Sequence, residues 1–389
     1  MSIPRISLVR PGRDLRVDFA RGIALWMIFV NHMPGNVLTY LTLRKVSLGD
    51  ATEAFVLLAG YAAGIAYGRA LERDGWLRAG ARVLHRVGTL YVAHIFLFVV
   101  FTAQVGFSAA ALDQAAFLDE LALDPFSQEP YRALFEALLL RYQPTFLDVL
   151  PLYIVVLALF AVTMPLMRNL PVMLACSALL YAAARLLDLQ LPSWTGDAWS
   201  FNPFAWQLLF VIGIWLARAA PERLARWFPW NRWVATVVLV FLAANALALN
   251  LFWGVTLRGI ETPAWIFDWY STIDKTGQHP ARLISILLLV WLVAHLLPVG
   301  AAWLNGRIAG LIILMGQQGL PVFCLGIFLS FLGRVMLETS SDWWMQVAVN
   351  GLGLAALVGI AALSAWYDGA EGKRKAPLLP QNASMAKNS

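Results

Sequence analysis

The chain has 389 residues, of which 60% are hydrophobic and only 13% charged, with a mean hydropathy of +0.67 and a formal net charge of +6. An ordinary soluble domain carries about a quarter charged residues, so these proportions exclude that class and describe an all-α polytopic membrane protein. Cys176 and Cys324 both lie in apolar runs, which supports neither a disulfide framework nor a thiolate metal site.

Arg5, Arg10, Arg13, Arg16 and Arg21 lead directly into an apolar segment, Val17 to Val37, with no small-residue cleavage site, so the first helix is expected to stay. Within it Arg21 and His32 stand eleven positions apart, which is about three helical turns and a rise of roughly 16 Å. Both side chains then share one face, the arginine at a bilayer edge and the histidine about halfway in. Ionisable groups at that depth are costly and point to function. A neutral imidazole there is poised as a general base or a nucleophile, with a structural hydrogen-bonding role as the alternative. Pro34 and Gly35 loosen the helix just beyond it. Arg21 also belongs to a dense set with Arg13, Asp14, Arg16 and Asp18. That set reads either as a topology anchor or as a mouth that binds phosphates by charge-assisted hydrogen bonds, which Arg82 and Arg86 would join.

The second span opens with Asp50 and Glu53, two carboxylates three residues apart and on one face if helical. Glu53 would orient His32, or both acids would complement a helix N-terminus; Asp148, ahead of Leu150-Pro151-Leu152-Tyr153, admits the same two readings. Residues 76–87 form a basic amphipathic stretch, expected as a helix at the cytoplasmic interface or a ligand site, and 130–143 read similarly on the outer side. His94 and His295 read as packed or interfacial; nothing in sequence orients His279. The loop 254–281 sets Trp265, Phe267, Trp269 and Tyr270 among Glu261, Asp268, Asp274 and Lys275. Such a surface suits sugar rings, although membrane-interface belts share its composition.

Apolar runs fall near 17–37, 51–68, 88–107, 149–167, 171–187, 204–217, 233–253, 282–298, 309–332 and 345–366, giving about ten transmembrane helices. With the N-terminus inside, 20 of the 29 Lys and Arg face the cytoplasm and 16 of the 23 acids lie outside. The positive-inside bias therefore puts both termini in the cytoplasm and accounts for the net charge without a nucleic-acid partner. Residues 1–368 are expected to form one transmembrane domain and 369–389 a disordered tail. No HExxH, Walker loop, GxGxxG after a strand or G-x-S-x-G occurs, which weighs against metal, nucleotide-hydrolysis and serine-hydrolase chemistry.

Several blocks together are similar to the OpgC (MdoC) family, membrane proteins that succinylate osmoregulated periplasmic glucans. They are Arg13-Asp14-Leu15-Arg16, Asn31-His32-Met33-Pro34-Gly35-Asn36, Glu53-Ala54-Phe55, Asp148-Val149-Leu150-Pro151, Asn202-Pro203-Phe204-Ala205-Trp206-Gln207, Asp274-Lys275-Thr276 and Leu320-Pro321-Val322-Phe323-Cys324. That family resembles the wider acyltransferase 3 group, whose first helix bears an Arg, ten residues, then a His. Its second span favours an acid, an aromatic and a Ser-Gly pair, matched here by Glu53, Phe55 and Gly60 but with Ala59 in place of the serine.

The resemblance implies a multi-pass protein of the bacterial inner membrane that moves an acyl group, succinyl in the best-known members, from cytosolic acyl-CoA to a glucan hydroxyl outside. Acyl-CoA is then a donor substrate rather than a resident cofactor. Under that reading Arg21, with Arg16, Arg82 and Arg86, holds the CoA phosphates, and His32 takes the proton from the attacking hydroxyl. Glu53, with Asp50 or Asp148, orients the imidazole. Lys275 and Arg282 are candidates for the succinyl carboxylate, and Trp206 and Gln207 for lining the cavity. Two rivals stand beside it: a glycan transporter or flippase, and an acetyltransferase acting on another envelope polysaccharide.

Overall fold

The computed structural model describes residues 14–196, 198–251, 264–340 and 342–375. Arg5, Arg10, Arg13, Glu261 and the tail from 376 lie outside the described residues. Among the described residues there is no strand.

Helix α1 spans Leu15–Asn31, and the Asp14 side chain caps it by accepting from the Arg16 N–H. Its buried face, including Asp18, Gly22, Leu25 and Phe29, follows helical spacing. The chain turns back through Gly35, at φ +80, into two short 3-10 turns, Val37–Leu41 and Leu43–Lys45.

Helix α2 runs from Ala51 to Ala111 and is bent at Gly75, whose φ of 76° interrupts the helical backbone. The stretch 76–87, expected as a separate interfacial helix, is instead the start of α2's second arm. Trp76 fixes the corner by donating to the Ala161 carbonyl at 3.0 Å, and Asp74 pairs there with Arg73 and Arg82. The second arm leaves Val92, Phe96, Val99 and Phe107 exposed, as a lipid-facing side requires. Short helices follow: α3 (Ala116–Glu120), α4 (Asp124–Gln128) and α5 (Pro130–Leu138).

The bundle continues with α6 (Val149–Thr163), α7 (Leu170–Leu186), α8 (Pro203–Arg218) and α9 (Pro221–Trp227). Next come α10 (Arg232–Leu251), α11 (Ala264–Ser271) and α12 (Pro280–Leu296). The expected span 309–332 is divided at Gln318 into α13 (Arg307–Gln317) and α14 (Gly319–Thr339). The last helix, α15, runs Trp343–Lys375, past Gly369.

Without water to drive helices together, membrane packing relies on close backbone approach at small residues. Two crossings show it. A Cβ at Gly60 would fall on the Phe210 carbonyl oxygen, and one at Gly213 on that of Leu57, so α2 and α8 touch backbone to backbone. Likewise Gly22 abuts the Ile312 carbonyl and Gly316 that of Asp18, which clamps α13 onto α1. Among the described residues five helices are long and apolar enough to cross a membrane: α2, Val149–Arg168, Arg232–Asn250, α14 and Trp343–Ala370. The bent pair α8–α9, turning by 116°, would make a sixth.

Candidate active site

Three helix ends meet at one cavity of about 390 Å³: the C-terminus of α1 at His32 and the N-termini of α2 at Asp50 and α6 at Asp148. His32 lines it with its ring against Phe146, centroids 4.2 Å apart, and its buried Nδ1 has no hydrogen-bond partner among the described residues. Beside it Asn31 accepts from the Thr42 hydroxyl at 2.8 Å, which ties the 3-10 segment back to the end of α1.

The acids do different work. Asp50 caps α2 by accepting from the Thr52 N–H at 2.7 Å, and Glu53 returns to accept from the Asp50 N–H at 2.8 Å, a reciprocal capping box. Glu53 is fully buried, and its other oxygen accepts from Arg282 Nε at 2.7 Å, with Nη2 in ion-pair contact at 2.6 Å. Both its oxygens are therefore engaged, and neither carboxylate is hydrogen-bonded to His32. The expected orienting role of Glu53 gives way here to a helix cap and a buried ion pair.

Lys275 reaches the cavity from the loop before α12 and donates to Asp50 at 2.7 Å, its ammonium lying over the Phe201 ring. Burial would raise the Asp50 carboxyl, but Lys275, the Glu53 hydrogen bond and Arg282 outweigh it and hold Asp50 well below the usual carboxylate range. Burial likewise pulls Lys275 down while Asp50 and Glu53 more than offset it, so its ammonium persists above its ordinary range. Asp148 behaves oppositely: burial raises its carboxyl, and Lys275 and Ser200 only partly counter it.

Trp206 and Gln207 are both buried and neither lines this cavity. Trp206 donates to the Lys275 and Thr276 carbonyls, each at 3.1 Å, and so holds the loop that presents Lys275. Gln207 accepts from Ser177 at 2.6 Å and donates to its carbonyl at 2.9 Å, pinning α7 to α8 beside a smaller apolar cavity.

At the other end of α1 lies a second cavity of about 660 Å³, lined by Arg86, Gln317, Gln318, Gly319, Trp366, Tyr367 and Asp368 among others. The Arg21 guanidinium borders it, packed against Gly319. The four arginines expected at one mouth are not brought together. Arg82 is held by Asp74 at 2.6 Å at the Gly75 corner, and Arg16 is bound to Asp14 and the Leu297 carbonyl. Of the four, Arg86 lines the cavity and Arg21 packs behind Gly319 of its wall.

Sequence reasoning missed Arg44, Phe146, Ser47 and Phe201 in the first cavity and the Gln317-Gln318 break and Trp366 in the second. One signal was available for Arg44: it is a cation on the side that the charge bias leaves acidic.

No curated protein and no solved structure matches the chain. A family model does, described as OpgC protein and covering residues 13–369, which takes in both cavities and every described helix from α1 to the upper part of α15. On that match the chain belongs to the OpgC protein family.

Proposed function

We propose that this protein is an inner-membrane O-acyltransferase that takes an acyl group, succinyl by preference, from cytosolic acyl-CoA and places it on hydroxyls of a periplasmic glucan. Family membership carries the expectation of an acyltransferase-like, glucan-modifying membrane enzyme. The single observation behind the fuller reading is that α1 runs between two polar cavities, Arg21 packed against Gly319 in the wall of one and His32 lining the other, roughly 16 Å apart along the helix.

The reading takes ten crossings, α1, the two arms of α2, α6, α7, α8, α10, α12, α14 and α15, with both termini and the Gly75 corner cytoplasmic. In that arrangement every element lining the His32 cavity ends on the periplasmic side. Arg86, Gln317 to Pro321 and Leu363 to Asp368 all fall on the cytoplasmic side. Arg86 and Arg21 then meet the CoA phosphates, Trp366 and Tyr367 offer faces for the nucleobase, and the pantetheine arm follows α1 outward.

At the periplasmic cavity His32 accepts the proton of a glucan hydroxyl as its oxygen attacks the thioester carbonyl carbon. The new C–O ester bond forms, the C–S bond breaks, and the sulfur leaves as thiolate and is reprotonated to CoA thiol. Asp50 and Lys275 fix the cavity wall. Release of CoA thiol from succinyl-CoA by the purified protein with a neutral glucan tests the reading. Wild type should release thiol only with acceptor present, and His32→Ala should lower the rate by at least about a hundredfold. No acceptor-dependent release by folded wild type would sink the enzyme reading and favour transport.

A further inference from the structure

The cations of the His32 cavity are not equivalent. Lys275 is bound to Asp50, and Arg282 is bound to Glu53 with Asp50 close by, so each is already neutralised by a carboxylate. Arg44 lines the same cavity, is exposed, and has neither a hydrogen bond nor an ion pair from its side chain among the described residues. Its position is nonetheless set: the Thr42 hydroxyl is tied to Asn31 at 2.8 Å, and Ser47 to Ser285 at 2.8 Å, so both flanks of Arg44 are anchored to helices around the cavity. His32 lines the same cavity.

A guanidinium without a counter-ion, carried into a cavity wall by an anchored segment of chain, is a receptor for a planar anion, which it can bind through two parallel N–H donors. We propose that Arg44 recognises the free carboxylate of a dicarboxylic acyl group while the thioester end of that group faces His32, and so sets preference for succinyl over uncharged acyl donors. The inference rests on the acyltransferase reading above. It reassigns the role expected of Lys275 and Arg282, whose charges are spent on Asp50 and Glu53. A carboxylate on the acceptor glycan would suit the same guanidinium, so the test uses a neutral glucan throughout and varies only the donor.

The experiment compares succinyl-CoA with butyryl-CoA, the uncharged donor of equal chain length, in wild type, Arg44→Gln and Arg44→Lys purified in detergent. Wild type should favour succinyl, and Arg44→Gln should cut the succinyl-to-butyryl ratio of kcat/KM about tenfold or more, the scale of one charge-assisted contact. Arg44→Lys should recover part of that ratio. Because the readout is a ratio within each protein, partial loss of folded material does not affect it. Equal losses on both donors, or no change on either, would overturn the assignment to Arg44 while leaving the transferase standing. Turnover of neither donor by wild type would remove the transferase reading, and this inference with it.

Discussion

At the residue scale the proposed mechanism separates the group that reacts, His32, from the groups that hold the cavity together. Glu53 and Arg282 form a buried pair at 2.6 Å, with side chains 0% and 12% exposed. Removing one member of such a pair costs about 3 kcal/mol or more, because the partner charge is left uncompensated. Glu53→Gln should therefore lower the thermal midpoint in detergent together with activity, whereas His32→Ala should abolish transfer at an unchanged midpoint. A Glu53→Gln protein as stable as wild type but inactive would return Glu53 to direct service on the imidazole. The contrast was not legible in sequence. Asp50 and Glu53 look like a pair of acids near a histidine, and the cation that claims Glu53 lies 229 residues away. The Arg21–His32 spacing was legible because it lies along one helix, where period and rise are local properties.

At the element scale the α2–α8 crossing carries much of the site's rigidity, since α2 begins with Asp50 and α8 holds Trp206 behind Lys275. Gly60 and Gly213 allow that contact, each taking the other helix's backbone where a side chain would stand. Gly60→Ala drives a methyl into the Phe210 carbonyl and should destabilise the protein by about 1–3 kcal/mol. Thermal unfolding would read this, and a midpoint equal to wild type would mean that α2 and α8 pack less closely than described. Two elements escaped the hydropathy pattern for physical reasons. Gly75 sits where a helical pattern continues on both sides, and a glycine inside such a pattern signals a corner only when its φ is known. The Gln317-Gln318 break interrupts an apolar run too briefly to end it, yet it opens the second cavity. Arg44 escaped for a third reason: its place depends on the Thr42 tether to Asn31, a return of the chain that composition does not encode.

At the scale of the whole molecule the proposed function divides labour between the two cavities, giving the carrier to one and the chemistry to the other. A donor that keeps the thioester but lacks the nucleotide should bypass the first. Arg86→Ala is therefore expected to raise KM for succinyl-CoA about tenfold, the scale of one charge-assisted phosphate contact, while leaving KM for a short-chain thioester such as succinyl-N-acetylcysteamine unchanged. Equal effects on both donors would disconnect the Arg86 cavity from carrier binding. The meeting of three helix ends at His32 has a further consequence, in the currency of backbone dipoles. Aligned peptide units leave about half a negative charge at the end of α1 and about half a positive charge at the starts of α2 and α6. Under the proposed mechanism, as a proton moves onto the imidazole and negative charge gathers on the thioester oxygen, the cation would form against the end of α1 and the anion before the start of α6, the start of α2 being already met by Asp50. Fixed dipoles of this kind contribute up to about 2 kcal/mol each in partly buried sites. They need no reorganisation at the moment of reaction, so under the proposed mechanism the fold would supply a polarised environment for charge separation before any side chain moves.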